Sequence, residues 1–458
     1  MVVFFLNSCY ATSVTPLTPL RGPGGANLTA KGRTMQTIRK MLFPGVYLNY
    51  VHATKFKTGL ISVQLVTPLT EGGTAPGALL PAVLNRGSER YPDLRALSTA
   101  LDLLYGAGLS FTVRKKGENQ CVGFLTGFVD DAFVPGGEKL LEPAAALLGE
   151  ELLCPLLADG AFLRAYVDGE KDNLIDAIRS ILDDKRDYAD MRLIREMCRG
   201  ERYGIPRLGT EEQVAVLDGK ELYDFYLRLL STARVELFYC GSAELARVED
   251  ALLRSLEGLP AGERVEPAVS QQVAAPTEAR RVTEAMDVTQ GKLAMGWRAA
   301  TQDVHAMMLA NLIFGGYSNS KLFLNVREKL SLCYYASSGY HRSKGIVTVS
   351  SGVEFADRAR AEAEILAQLE SIQQGKLEPW ELEGARSVLV SAVRSREDSG
   401  ARMEENTLGQ AATGMWETEE ELIERLRAVT PERVAEAARS MTLDTVYFLT
   451  GEEAEGDD

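Results

Sequence analysis

The sequence predicts an α+β protein made of two tandem homologous domains, each a mostly antiparallel sheet with helices packed on it. Three observations carry that expectation. Lys171-Asp-Asn-Leu-Ile-Asp-Ala-Ile-Arg-Ser180 and Arg386-Ser-Val-Leu-Val-Ser-Ala-Val-Arg-Ser395 lie 215 residues apart and match in pattern. Both place apolar residues at helical spacing: Leu174, Ala177 and Ile178, then Leu389, Ala392 and Val393. Each copy also closes on a short apolar strand ended by glycine, Leu237–Gly241 and Tyr447–Gly451. Finally, strand-like and helix-like segments occur in the same order in both copies.

Taken in order, residues 1–34 are rich in Thr, Pro and Gly, a composition that packs poorly. They are expected to be a disordered arm or the product of a start codon placed too early. Met1–Leu6 is apolar but lacks the basic flank and the length of a secretory signal. Patterned sequence begins at Met35, and the first domain is expected over 35–245. Within it, strand-like Leu60–Thr67 leads into an apolar helix, Ala78–Asn85. An amphipathic helix follows, with Leu94, Leu97, Leu101 and Leu104 on one face, and then the strands Leu109–Lys115 and Cys121–Phe128. Glu257–Thr283 holds three prolines and a Gln pair with little periodicity, so a linker is expected over 246–285. The second domain, 286–452, repeats the order with Leu293–Trp297, Val304–Phe314, Leu332–Ser338 and Ile346–Val353. An acidic tail, 453–458, ends the chain.

Composition excludes several functions. With 458 residues, 45% of them apolar and 25% charged, the chain is long enough for two ordinary soluble domains. A net charge of −14 argues against nucleic acid and against an anionic membrane surface. Six cysteines occur without a CxxC pair, which points to reduced, buried thiols and a cytoplasmic location. No run of 18 apolar residues is present, so a membrane span is not expected.

The most informative stretch is Gly315–Tyr340, GGYSNSKLFLNVREKLSLCYYASSGY. It predicts a turn at Gly315, Gly316 and Ser318, a helix from about Ser318, and a strand carrying Cys333, Tyr334 and Tyr335. Arg327 falls near the helix end, seven residues before Tyr334. Alternation along the strand points Tyr334 and Tyr335 to opposite faces, with Tyr335 expected in the core. For Arg327 alone, the bland reading is a solvated cation beside Glu328 and Lys329, favoured there by the helix dipole.

This block resembles the substrate-gripping half of the M16 (pitrilysin/insulinase) zinc peptidases, whose two tandem domains share the LuxS/metallohydrolase-like fold. From Met35 onward the resemblance covers the chain. It implies that Arg327 and Tyr334 position a peptide backbone and stabilise a tetrahedral intermediate. An Arg fork and a phenol donor suit that task. Active members carry H-x-x-E-H on a helix of the first domain, where two His and a distant Glu bind zinc and the intervening Glu is the base. Here only His52, His305 and His341 exist, the closest pair being 36 residues apart. By pattern position, Ala78 and Ala82 stand where the histidines would be and Pro81 where the base would be. A distal carboxylate remains at Asp168 or Glu170, expected on a solvated helix face. No metal is therefore expected on this chain, and no other cofactor.

Within the family the chain is most similar to bacterial YmfF-like proteins, judged from Phe56-Lys57-Thr58, Leu104-Tyr105-Gly106-Ala107 and the Gly315–Tyr340 block. The resemblance implies a zinc-bearing M16 paralogue as heterodimer partner, a peptide or unfolded polypeptide as substrate, and an association with elongation factor P modification. On that view the chain is a catalytically incomplete subunit. The competing expectation is a non-enzymatic scaffold or peptide-binding protein that keeps only the shell.

Overall fold

The computed structural model describes residues 35–452; the arm expected over 1–34 and the tail over 453–458 lie outside the described residues. Two compact units result. One comprises the chain up to Ile178 together with Ile205–Val269 and Ser399–Gly414, the other Arg179–Gly204, Ser270–Asp398 and the chain from Met415.

The first unit is built on β1 (Met35–Phe43), β2 (Val46–Ala53), β3 (Thr58–Pro68), β4 (Gly108–Lys116) and β5 (Asn119–Val129), completed by β8 (Arg234–Gly241). A minor hairpin, β6 (Leu157–Ala158) with β7 (Ala161–Phe162), stands apart from the sheet. The sheet order is β1-β2-β8-β3-β5-β4, with β2 and β8 parallel and the other pairs antiparallel. One face buries Leu48, Ile61, Val63, Phe124 and Leu237 under helices that supply Leu79, Leu148, Tyr226 and Leu252. At about 25 cal/mol per Å² of apolar surface removed from water, such a layer is what holds the unit together.

The second unit repeats this topology. Its strands are β9 (Arg280–Met286), β10 (Gly291–Ala299), β11 (Cys333–His341), β12 (Ile346–Val353) and β13 (Met441–Gly451). Their order, β11-β12-β10-β13-β9, is that of β4-β5-β3-β8-β2, and the pair β9 and β13 is parallel as β2 and β8 are. Among the described residues, strand β1 is the one strand that the first sheet adds. Trp297, Met295, Val347 and Phe448 form the core with the helices Val304–Asn311, Arg358–Gln373 and Pro379–Arg394.

Two expected boundaries need correction. The segment 246–285 is not a plain linker. Leu245–Ser255 is a helix whose Val248, Ala251 and Leu252 enter the first core, and β9 is a strand of the second sheet. The extended stretch between them is also tied down. Arg264 donates to the carbonyls of Leu230 and Ala233 at 3.0 and 2.6 Å, and Asn119 pairs with both N–H and C=O of Ala268. Low periodicity hid these contacts because side chains gripping backbone carbonyls leave no sequence pattern.

Nor do the units follow 35–245 and 286–452. The helix Lys185–Met197 belongs with the second sheet, where Tyr188, Ala189 and Leu193 pack on Ala294, Tyr447 and Leu449. Tyr188 and Tyr447 both donate to the Glu284 carboxylate, at 2.5 and 2.8 Å, and Arg192 adds a third contact at 2.9 Å. In exchange, the helix Gly400–Thr413 covers the outer face of the first sheet. Met403 packs with Val51, Phe238 and Cys240, while Leu408 and Ala412 pack with Val66 and Cys121.

That second helix is also fixed by charge. Buried Glu404 accepts two bonds from Arg114, at 2.6 and 2.7 Å, and one from Ser62 at 2.9 Å. Glu404→Ala is expected to destabilise the first unit by about 2–3 kcal/mol, because Arg114 keeps only the half-exposed Glu405. Urea unfolding followed by far-UV circular dichroism measures it.

The five described cysteines are buried and stand outside any disulfide. No helix of the described residues is long and apolar enough to cross a membrane.

Candidate functional site

The site grows out of an irregular helical segment. After Val304–Asn311 the chain widens into a π-helical turn, Leu312–Gly316, and forms a second π-helical run at Leu322–Lys329. The helix expected from about Ser318 therefore begins later, with Ser318 exposed in the intervening turn and the Ser320 hydroxyl accepting from the Phe323 amide at 3.4 Å. Gly315 is required by close approach, since a Cβ there would stand 2.7 Å from the Ser338 amide nitrogen of β11. Ser338 in turn donates to the Asn311 carbonyl at 3.0 Å, which ties β11 to the start of the wide turn.

In the second π-helical run Leu322 and Val326 enter the core, which leaves their neighbour Arg327 facing out. Its guanidinium lies 4.7 Å from the Phe323 ring centroid and 3.6 Å from Glu328. Two residues past the run stands Ser331, whose φ of 50° is in the left-handed region. A non-glycine residue held there costs about 1–3 kcal/mol, and such positions cluster where geometry matters more than ease.

Strand β11 begins with a bulge. Cys333 opposes Val353 and Tyr335 opposes Gly352, so Tyr334 is the extra residue. The bulge breaks alternation and turns Tyr334 outward, 63% exposed. Its hydroxyl donates to Glu354 Oε1 at 2.9 Å. That bond to a carboxylate pushes the phenol's pKa above its ordinary value. The expectation for Tyr335 is corrected here. It is half-buried against Gly352 beneath the Arg186 guanidinium, 4.5 Å from its ring centroid, and does not enter the hydrophobic core.

Arg327 and Tyr334 line one open cavity of about 380 Å³ together with Glu328, Ser331, Cys333 and Glu354. Arg327 offers donors and a permanent charge, Tyr334 one O–H, and Glu354 an acceptor. Burial raises the Cys333 thiol above its usual range, so it is not a poised nucleophile. Sequence reasoning missed Glu354 and Ser331. The four-residue turn after His341 sets the β11–β12 register, and counting outward along it would set residue 334 opposite 353; the bulge shifts that register and hides the contact with Glu354.

The positions expected to correspond to the metal motif carry apolar side chains. Ala78 and Pro81 are buried in the helix Thr74–Leu84 and Ala82 is half-buried. Asp168 is exposed and pairs with Arg164 at 3.2 Å. Glu170 is not on a solvated face: it is buried, with Arg86 at 3.4 Å and Asn173 donating at 3.0 Å. Each of the two carboxylates expected as a distal ligand is thus paired with a guanidinium. Among the described residues no group of three or more His, Cys, Asp or Glu could hold a metal ion. Zinc does not fit this donor set. The histidines are structural: His52 contacts Tyr50 at 3.0 Å, His305 contacts Glu417 at 2.7 Å, and His341 contacts Tyr203 at 2.8 Å.

Comparison with known proteins identifies the family. The family model described as Peptidase M16 inactive domain matches residues 217–389. The probable inactive metalloprotease YmfF of Bacillus subtilis is 32% identical over 423 residues, covering 89% of this chain and 96% of that protein. The uncharacterized zinc protease YmxG of the same organism is 22% identical, covering 76% and 86%. A solved structure of a conserved protein from Enterococcus faecalis superposes with a TM-score of 0.85 at 28% identity, covering 92% of this chain and 100% of that one. Two repeated α+β units and these matches lead to one conclusion: the chain belongs to the M16 peptidase family, as a homologue of a probable inactive metalloprotease.

Proposed function

We propose that the chain is the zinc-free subunit of a heterodimeric M16-type metallopeptidase, helping to close the chamber and positioning a peptide or unfolded polypeptide through Arg327 and Tyr334. The observation that carries this is the shared cavity of Arg327 and Tyr334 in a chain whose motif positions are Ala78, Pro81 and Ala82. Retention of the donors without the metal ligands is what a division of labour between two chains requires. The presence in Bacillus subtilis of both an inactive and a zinc-protease relative supports it. Five buried cysteines outside any disulfide, among the described residues, favour a reducing, cytoplasmic setting.

In this role the Arg327 fork holds a peptide carbonyl and the Tyr334 phenol donates to an oxygen that gains charge during cleavage. The test is peptide cleavage by the chain alone, by an H-x-x-E-H paralogue alone, and by the mixture. Only the mixture is expected to cleave, chelator treatment abolishes it, and Arg327→Ala or Tyr334→Phe lowers kcat/KM by about tenfold or more. Unchanged turnover in both variants would leave a scaffold. That second reading is favoured by the idle stacking of Arg327 on Phe323.

A further inference from the structure

Both donors of the cavity are occupied. Arg327 rests on the Phe323 ring with Glu328 at 3.6 Å, an exposed contact worth little and readily exchanged. Tyr334 is held more firmly. A phenol has a single proton to donate, and this one is directed at Glu354 Oε1 over 2.9 Å. The bulge at Cys333–Tyr335 produces the pairing, because it displaces Tyr334 from the ladder toward the end of β12, where Glu354 emerges.

We infer that Glu354 is a positioning residue that parks Tyr334: its carboxylate takes the phenol's only hydrogen bond, and a bound polypeptide must break that bond before Tyr334 can donate to a backbone carbonyl oxygen. The inference rests on the subunit reading above. Two physical consequences follow from the geometry. In the parked state the cavity wall formed by Tyr334 and Glu354 offers acceptors only, so a peptide first meets it through N–H groups. As negative charge grows on a carbonyl oxygen near Tyr334, the Glu354 carboxylate repels it, so release of the phenol and withdrawal of that charge are needed together. An exposed residue such as Glu354 can be replaced without disturbing the core.

The bond is tested first on the chain alone. The alkaline absorbance titration of the chain minus that of Tyr334→Phe isolates the Tyr334 step, and Glu354→Gln is expected to move that step to lower pH. An unmoved step overturns the inference. The consequence is tested by turnover of an internally quenched fluorogenic peptide in a mixture with an H-x-x-E-H paralogue. Glu354→Ala is expected to raise kcat/KM by about three- to tenfold, mainly in kcat, and to have no effect once Tyr334→Phe is present. Loss of activity in Glu354→Ala, or no change while Tyr334→Phe is impaired, overturns parking and leaves the subunit reading intact. An inactive wild-type mixture, or an unimpaired Tyr334→Phe, removes both.

Discussion

Asp444→Ala is expected to destabilise the second unit by about 3–5 kcal/mol, the range for breaking a buried ion pair by deleting one partner. Asp444 is 0% exposed and accepts from Arg298 and Arg280 at 2.9 Å each and from Thr445 at 2.6 Å. Arg298 is itself buried and reaches on to Glu201 at 2.6 Å, which also holds buried Lys344 at 2.7 Å. Removing one carboxylate leaves two guanidinium groups competing for Glu201 and backbone carbonyls. Burial works against ionised Glu201, yet Arg298 and Lys344 hold its carboxyl below the ordinary range. Its contribution is therefore present above the usual carboxylate pKa and is lost as pH falls through the depressed folded value. All three tryptophans, Trp297, Trp380 and Trp416, lie in the second unit, and Trp297 adjoins Arg298. Urea unfolding followed by tryptophan fluorescence thus reads this unit selectively. A loss below about 1 kcal/mol, ordinary for surface changes, would contradict the assignment.

The second large effect has the opposite sign. Glu151, on the helix Leu141–Leu153, is 0% exposed, and neither carboxyl oxygen has a hydrogen-bond partner among the described residues. Burial, reinforced by Glu150, pushes its pKa up to about 8, and the nearby Ser88 hydroxyl offsets only part of this. The unfolded chain releases this proton near pH 4.5, whereas the folded chain keeps it until about pH 8. Between those values the unfolded state binds fewer protons, so stability falls as pH rises. Glu151→Gln removes the titration. Relative to wild type, the variant is expected to gain little at pH 5 and about 3 kcal/mol at pH 7. Far-UV circular dichroism in urea at the two pH values measures the difference, and a gain independent of pH would refute the mechanism.

Much of the fold was legible because repetition and periodicity are properties of the chain itself. Leu237–Gly241 and Tyr447–Gly451 identified matching central strands, and β8 and β13 occupy equivalent places in the two sheets. The exchange of Lys185–Met197 and Gly400–Thr413 was not legible, since an amphipathic helix shows that a face is buried but not which sheet buries it. At the candidate site, Arg327 and Tyr334 were singled out by the resemblance of the Gly315–Tyr340 block, and both line one cavity. Glu354 was missed because its role depends on a bulge, a local departure from the alternation on which strand reading rests. Glu170 was misread for a related reason: its partner Arg86 is distant in sequence, and only the fold brings them to 3.4 Å.

The helix exchange also has a temporal meaning during synthesis. Strand β8, the last of the first sheet, is complete at Gly241, but the helix that covers the sheet's outer face ends at Thr413. At about 5–20 residues per second, the apolar face of Val51, Phe238 and Cys240 waits roughly 10–30 s on the ribosome for its cover. A chain stalled or cut within that interval is expected to present the first sheet with this apolar face uncovered, and so to aggregate more readily than the full chain.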